Sequence, residues 1–345
     1  MARPDAPLSA LHPRLEALLR IASDLRDLPS EAFKTHLKAE LLSRARGVTG
    51  AAPPPPRAGR PLHTEDDILA RLAELADEPN QMVAHDVRAA LRDLPDRAMR
   101  FLASLNECTV GVSRFSDSAH WERHPGGDEL LHILDGEAEV VTLTEDGPVR
   151  SPVRAGSLFI CPQGLWHRLL ARSPVSLLFA TPGEGTEASE AEEPPRRNHG
   201  RRSAPRGSRT GRRPAPALVA HDLDSALRGL PELPITSSTT AADVDASARN
   251  LARLGPCTLG VMRFSGLTPW ERHPDGDELL HPLAGAIDVT VLTDDGPVHR
   301  RVEAGSVFVC PRGLWHRQRP QPAVTLLYGT PSETTEVSFA EDPRG

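Results

Sequence analysis

The side chains best suited to chemistry in this chain come as one set used twice: His124, Glu129 and His167, then His273, Glu278 and His316. The first two of each set lie in nearly identical stretches, WERHPGGDELLHILDG from residue 121 and WERHPDGDELLHPLAG from residue 270. His124 and Glu129 flank a tight Pro-Gly-Gly turn that can fold both side chains toward one point. Glu122 precedes His124 by two residues, so on an extended strand the two share a face. His167 follows a second turn, PQGLWH, about forty residues on, where a returning strand could bring it back beside them. Imidazole nitrogen and carboxylate oxygen suit borderline divalent metals, and two His with one carboxylate leave coordination positions open for substrate. The plainer reading has His124 and His273 only capping a turn through backbone hydrogen bonds.

The elements that must position these groups repeat with them. Residues 107–182 align with 256–331 without a gap at an offset of 149, and 44 of the 76 positions are identical. All four Trp and all four Cys fall at matched positions. A duplicated domain follows. The likeness begins earlier, at VAHDVRAALRDLP (83–95) and VAHDLDSALRGLP (219–231), where the offset is 136, so the second copy holds 13 extra residues before its main part. Within each copy the hydrophobic period is that of strands. CTVGVSRF, EAEVVTLT, SLFIC and VSLLFAT are short β-runs, and EDGPV and DDGPV supply Asp-Gly turns. Many short strands with frequent turns imply an antiparallel sandwich or barrel.

Outside the repeats the chain reads differently. Apolar content is 39% and prolines number 34, which together suggest folded units separated by solvated connectors. Leu15, Leu18, Leu19, Leu25, Leu28, Phe33, Leu37, Leu41 and Leu42 recur at roughly helical spacing, so residues 1–50 are expected to form a helical hairpin. A Pro-rich spacer follows at 51–62, then a helical lead-in over 63–104, with Thr64 as a helix N-cap. The run at 185–216, first acidic and then carrying eight arginines between Arg196 and Arg213, has almost no large apolar residue and reads as a disordered linker. A second helical lead-in is expected over 217–253. The net charge of −7 creates no field that argues for nucleic acid, and the arginine run is better read as a soluble spacer. No apolar run approaches membrane-spanning length, and the N-terminus lacks a secretory core, so a soluble cytoplasmic protein is expected. No two cysteines form a C-x-x-C pair, which argues against a zinc knuckle or disulfide framework.

The motif spacing resembles that of the cupin superfamily. Its first motif (G, five residues, H-x-H, three or four residues, E, six residues, G) is met by His124, Glu129 and Gly136. Its second motif (G, five residues, P-x-G, two residues, H, three residues, N) is met by Gly156, Pro162, Gly164 and His167. His273, Glu278, Gly285, Gly305, Pro311, Gly313 and His316 match in the same way. The resemblance implies a mainly β protein with double-stranded β-helix (jelly-roll) barrels at 105–184 and 254–338, and the helical periodicity ahead of them adds an α-helical N-terminal region that the resemblance does not cover. It also implies a divalent transition metal, Fe, Mn or Zn, held by His124, Glu129 and His167 and by His273, Glu278 and His316. Several positions depart from the pattern. The first His slot holds Glu122 and Glu271, the opening Gly is Ser116 and Ser265, and the closing Asn is Ala171 and Pro320. Glu122 and Glu271 either add a harder donor to the ion or point away from it.

The remaining candidates have bland readings. His132 and His281 lie three residues past the Glu, on the opposite strand face, where a surface or interface role is expected. Trp121 and Trp166 are expected to pack, and the cysteines to act as small buried apolar groups. Pro282 replaces Ile133 and removes a ladder donor, so that strand should be locally irregular or at an edge. Two function classes follow. One is a metal-dependent oxygenase, isomerase or decarboxylase acting on a small molecule in the barrel. The other is a non-catalytic small-molecule or metal sensor. Cupin domains fused to zinc-binding anti-sigma modules are one arrangement of that second kind, but residues 1–107 contain no Cys for such a zinc cluster. A single working copy and self-association are both compatible with the pattern.

Overall fold

The computed structural model describes residues 82–183, 185–189, 191–192, 194, 218–332 and 334–344, all within one compact unit spanning Ala58–Gly345. The hairpin expected at 1–50, the spacer at 51–62 and the helix from Thr64 lie outside the described residues. No described helix is long and apolar enough to cross a membrane.

The first repeat is built from β2 (Ala98–Leu105), β3 (Cys108–Phe115), β4 (Trp121–Arg123), β5 (Glu129–Asp135), β6 (Glu137–Thr144), β7 (Gly147–Arg154), β8 (Ser157–Cys161), β9 (His167–Ala171), β10 (Val175–Pro182) and β11 (Glu187–Ser189). They form two antiparallel sheets. One has the order β8-β5-β10-β3-β2, the other β11-β4-β9-β6-β7. Strict alternation assigns the faces. On β5, Leu131 and Ile133 enter the barrel core with Phe115, Val140, Phe159 and Leu177, whereas Leu130 turns to the opposite side. Gly136 makes the corner between β5 and β6 at φ +85°, where a Cβ would strike the Pro174 carbonyl.

The second repeat uses the same plan with fewer breaks. β17 (Glu278–Thr293) and β20 (His316–Pro331) each run through both layers as sixteen-residue strands. They join β14 (Ala248–Leu254), β15 (Cys257–Gly266), β16 (Trp270–Arg272), β18 (Gly296–Glu303), β19 (Ser306–Cys310) and β21 (Glu336–Ser338) in one sheet. β17 shifts register between Pro282 and Ala284, but β5 makes the same shift between Ile133 and Asp135, so the irregularity belongs to both repeats and does not come from the proline.

Each lead-in crosses to the other repeat. β1 (His85–Asp86) pairs with β19 of the second barrel, while β12 (His221–Asp222) pairs with β8 of the first. The short helices that follow, α1 (Val87–Arg92) and α2 (Leu223–Leu227), are capped by Asp86 and Asp222, whose carboxylates accept from the Ala89 and Ser225 amides. Val87, Leu91 and Leu94 then share one core with Leu223, Leu227 and Leu230, with Val110, Val112 and Leu130 of the first barrel and Leu259, Val261 and Leu279 of the second. Full burial of a Val or Leu side chain contributes about 1.5–3 kcal/mol, so this shared core binds the two barrels into one cooperative body.

The lead-ins hold less helix than their composition suggests. Within 63–104, Ala98–Leu105 is a strand on the edge of β3, and a register shift between Phe101 and Ala103 breaks the alternation that would have marked it. Within 217–253, β13 (Glu232–Ile235) and β14 are strands, and α3 (Ala241–Ser247) is a separate helix with a Thr240–Asp243 capping box. The 13 extra residues fall in the stretch between α2 and β14, where β13 runs parallel to β15 and covers its edge. In these stretches sheet pairing overrides helical propensity. The stretch expected as a linker from 185 opens with a strand, since Glu187–Ser189 pairs with Trp121–Arg123, and its residues 195–216 lie outside the described residues.

Candidate metal centre

Two turns bring the site of the first barrel together. The HPGGD turn after β4 and the PQGLW turn after β8 are locked by the Gly164 amide donating to the His124 carbonyl (3.0 Å) and the Gln163 amide to Asp128 Oδ1 (2.8 Å). Gly164 takes φ +75°, a conformation open to glycine. β9 leaves the second turn with His167 as its first residue, opposite Glu122 on β4, and Glu129 opens β5 opposite Cys161.

The side chains then converge. Ligand atoms of Glu122, His124, Glu129 and His167 all lie within 4.8 Å of one another. His167 Nε2 is 2.9 Å from Glu129 Oε2 and 3.8 Å from Glu122 Oε1. His124 Nε2 is 3.4 Å from Glu129 Oε2 without the geometry of a hydrogen bond, and it is buried with no other partner. Around this ring lies a second tier. Leu165 O accepts the His167 Nδ1–H at 3.1 Å, Thr186 Oγ1 contacts His124 Nδ1 at 3.0 Å, and the Thr181 hydroxyl donates to Glu129 Oε1. With Nδ1–H held on a carbonyl, His167 Nε2 is the nitrogen turned to the ring centre, and it becomes a metal ligand on losing the proton it shares with Glu129.

Charge in this enclosed space shifts the ionisations. Burial pushes the Glu129 carboxyl up, but its neighbours His124 and His167 outweigh burial and hold it well below the usual range. Burial and then the Glu129 charge raise Glu122. Burial opposes a charge on His167, yet Cys161 and Glu129 raise it above its ordinary value. A buried lone imidazole nitrogen facing a carboxylate-rich ring is a cation-binding donor set, and these residues fit a divalent ion. The alternative in which His124 only caps a turn leaves its buried Nε2 unexplained.

The second barrel reproduces three of the four donors. His273, Glu278 and His316 cluster within the same limit, and Glu271 does not join them. His316 Nε2 is 3.0 Å from Glu278 Oε2, and Leu314 O, Thr335 Oγ1 and the Thr330 hydroxyl repeat the outer contacts. Burial and the Glu278 charge push Glu271 up to about 7.

Other singled-out residues lie elsewhere. Trp121 and Trp166 pack with Val141, on the sheet face opposite Val140, and Arg168 and Arg123 stack over them at 4.4 and 4.9 Å. They are packing residues of the outer wall. Cys161 is buried and its thiol is pushed up to about 12 by burial, which makes it a poor nucleophile at neutral pH. His132 and His281 do face away from the two His/Glu clusters, but they are only 4% and 2% exposed and touch each other between the barrels, ring centroids 5.5 Å apart.

A strap over each site lies beyond the aligned segments. After β10 the chain returns so that Thr186 meets His124, Glu187 pairs with Arg123, and the Glu192 carbonyl accepts the Trp121 indole N–H. Thr335, Glu336 and Glu341 do the same in the second barrel. The signal was present: Thr186, Glu187, Ser189, Ala191 and Glu192 recur at the same offset of 149, past the point where the alignment ends.

The Cupin domain family matches residues 113–181. Germin-like protein 5-1 of Oryza sativa subsp. japonica is 34% identical over 111 residues, covering 30% of this chain and 49% of that protein. Germin-like protein subfamily 2 member 4 of Arabidopsis thaliana is 30% identical over 112 residues, covering 31% and 50%. The chain therefore spans about half the length of the germin-like relatives it matches. Among solved structures, a salicylate 1,2-dioxygenase from Pseudaminobacter salicylatoxidans superposes with a TM-score of 0.54 at 14% identity, over 91% of this chain and 100% of that one, a likeness of fold.

Proposed function

We propose a metal-dependent enzymatic role for this chain, which belongs to the cupin superfamily and carries two of its barrels. The first barrel holds one divalent ion, iron, manganese or zinc, on His124, Glu129 and His167 with Glu122 as fourth donor, and a small oxygen-donor molecule is converted there. The observation that carries this reading is the convergence of four donors around the buried, unpartnered Nε2 of His124. When bound, such an ion supplies Lewis acidity toward a substrate oxygen. The protein's own groups do the rest. Leu165 O and Thr186 fix the two imidazoles, Thr181 orients the Glu129 carboxylate, and the enclosing strands exclude bulk water. Glu122, whose side chain is 33% exposed while His124, Glu129 and His167 are nearly inaccessible, stands at the opening. There it meets an incoming molecule first and can hold a proton beside it. A mixed nitrogen and oxygen set with two carboxylates favours a harder divalent ion over Cu(I).

Metal analysis of the full-length protein, stripped with chelator and reloaded with Fe(II), Mn(II) or Zn(II), tests the ion. One tight equivalent that is lost in His167→Ala is expected, and retention of no transition metal overturns the site. Loaded protein is then assayed for oxygen uptake and turnover on small carboxylic and hydroxy acids. Metal binding without any turnover overturns the catalytic half.

A further inference from the structure

A cleft of about 490 Å³ lies between the two barrels, away from both metal centres. Its floor carries the imidazole pair. His132 Nδ1 is buried without a hydrogen-bond partner, and His281 Nδ1–H is committed to the Ser306 carbonyl at 2.7 Å. Its rim is cationic. Arg88 and Arg92 project from α1, both exposed and neither with an ion-pair partner among the described residues, and Arg114 enters from β3. Arg114 is already steadied by the Leu94 carbonyl and Ser176 Oγ, which leaves donors of its guanidinium directed by the fold. Asp135 is the one acidic residue of the lining, so three guanidinium groups face a single carboxylate. The remaining wall is apolar, supplied by Leu91, Leu134 and Leu283.

We propose that this inter-barrel cleft is a second binding site, for a small organic oxyanion whose charged head engages Arg88, Arg92 and Arg114 and whose apolar body lies on the leucines. Guanidinium groups match carboxylate and phosphate oxygens through paired N–H donors. The cleft volume is that of a small-molecule pocket and exceeds the need of a bare inorganic ion. The His132 ring lies in the floor of the cleft, close enough to sense an occupant, while its Nδ1 is sealed from solvent. Neither barrel alone forms the site, since α1, β3 and β5 supply one side and Pro282, Leu283 and Gly305 of the second barrel the other.

Calorimetric titration of the full-length protein with hexanoate, hexyl phosphate and hexanol tests this. At least one anion should bind at one site per chain while hexanol does not, and the comparison of the two anions identifies the head group. The double variant Arg88→Ala/Arg92→Ala, confined to exposed side chains, should weaken that binding about tenfold or more, and stripping metal with chelator should leave it unchanged. In the imidazole C–H region of the proton spectrum, the His132 signal, assigned with His132→Phe, should shift on anion addition. Failure of both anions to bind overturns the proposal. So does equal affinity in the double variant, or loss of binding on metal removal.

Discussion

The two barrels share a candidate metal-binding skeleton of two His and one Glu and differ in what surrounds it. In the first, Glu122 belongs to the donor ring; in the second, Glu271 stands outside it, its carboxyl pushed up to about 7 by burial and then by the Glu278 charge. Beside the distal His, the first barrel places Thr142, buried with no partner for its hydroxyl, where the second has Val291. Two ladder positions further, Leu169 of the first core is replaced by Gln318, whose buried Oε1 is unpartnered. Buried polar atoms without partners are costly, so each barrel carries a different polar group free to meet a ligand. Near-identical ligands therefore need not mean identical sites, because the walls decide how strongly an ion is held and what is presented to it.

The largest expected effect separates the barrels at the ligand level. His167→Ala should abolish metal retention in the first barrel, and His316→Ala should remove only whatever the second retains, both read as metal equivalents per chain. Equal losses would make the barrels equivalent centres. Next, Glu122→Gln should weaken metal affinity about 10–100-fold, in the range of strong ligand-sphere effects, and Glu271→Gln should change it far less. Competition with a fluorescent chelator measures both, and a matched pair of shifts breaks the asymmetry. Thr186→Val should weaken binding toward the lower end of that range, about tenfold, by releasing His124 Nδ1.

A smaller effect tests the seam between the barrels. Burial, and secondarily His281, pushes His132 down to about 3, and burial lowers His281 as well. The unfolded chain binds protons near the ordinary imidazole value of about 6.5, so below that pH the unfolded state holds more protons than the folded one. The contribution of neutral His132 is full above about pH 6.5 and falls as pH drops toward 3, at up to about 1.4 kcal/mol per unit, and His281 adds to the loss in the same direction. Urea unfolding at descending pH should show this loss, and His132→Phe/His281→Phe should flatten it. The smallest expected effect is at the helix caps. Asp86→Ala and Asp222→Ala should each cost about 1 kcal/mol, the second slightly more because Asp222 also pairs with Arg154 at 2.8 Å. Because the lead-ins cross over, either change should lower one common unfolding transition.

Much of the candidate site was readable before any fold was known. His124, Glu129 and His167 declare themselves through residue type, fixed spacing and repetition, and the β-runs through alternation, since side-chain direction on a strand follows from a two-residue period alone. The same rule turned His132 away from Glu129. Its partner across the seam, His281, was beyond that rule, as was the burial of both. Strand Ala98–Leu105 was hidden by a bulge and by helix-favouring residues, and the Thr186 strap by its place at the edge of an otherwise solvated run.

What the sequence by itself determined was local: which residues could bind a metal, where strands alternate and where turns fall. Only the tertiary structure decided that each lead-in serves the opposite barrel, that Glu122 joins its ring while Glu271 stays out, and that two histidines and three arginines line one cleft. The physical reason is that these outcomes depend on pairing between distant segments and on how closely side chains from them approach. A repeating pattern of residues encodes direction along a strand, but it leaves the distance between strands to packing.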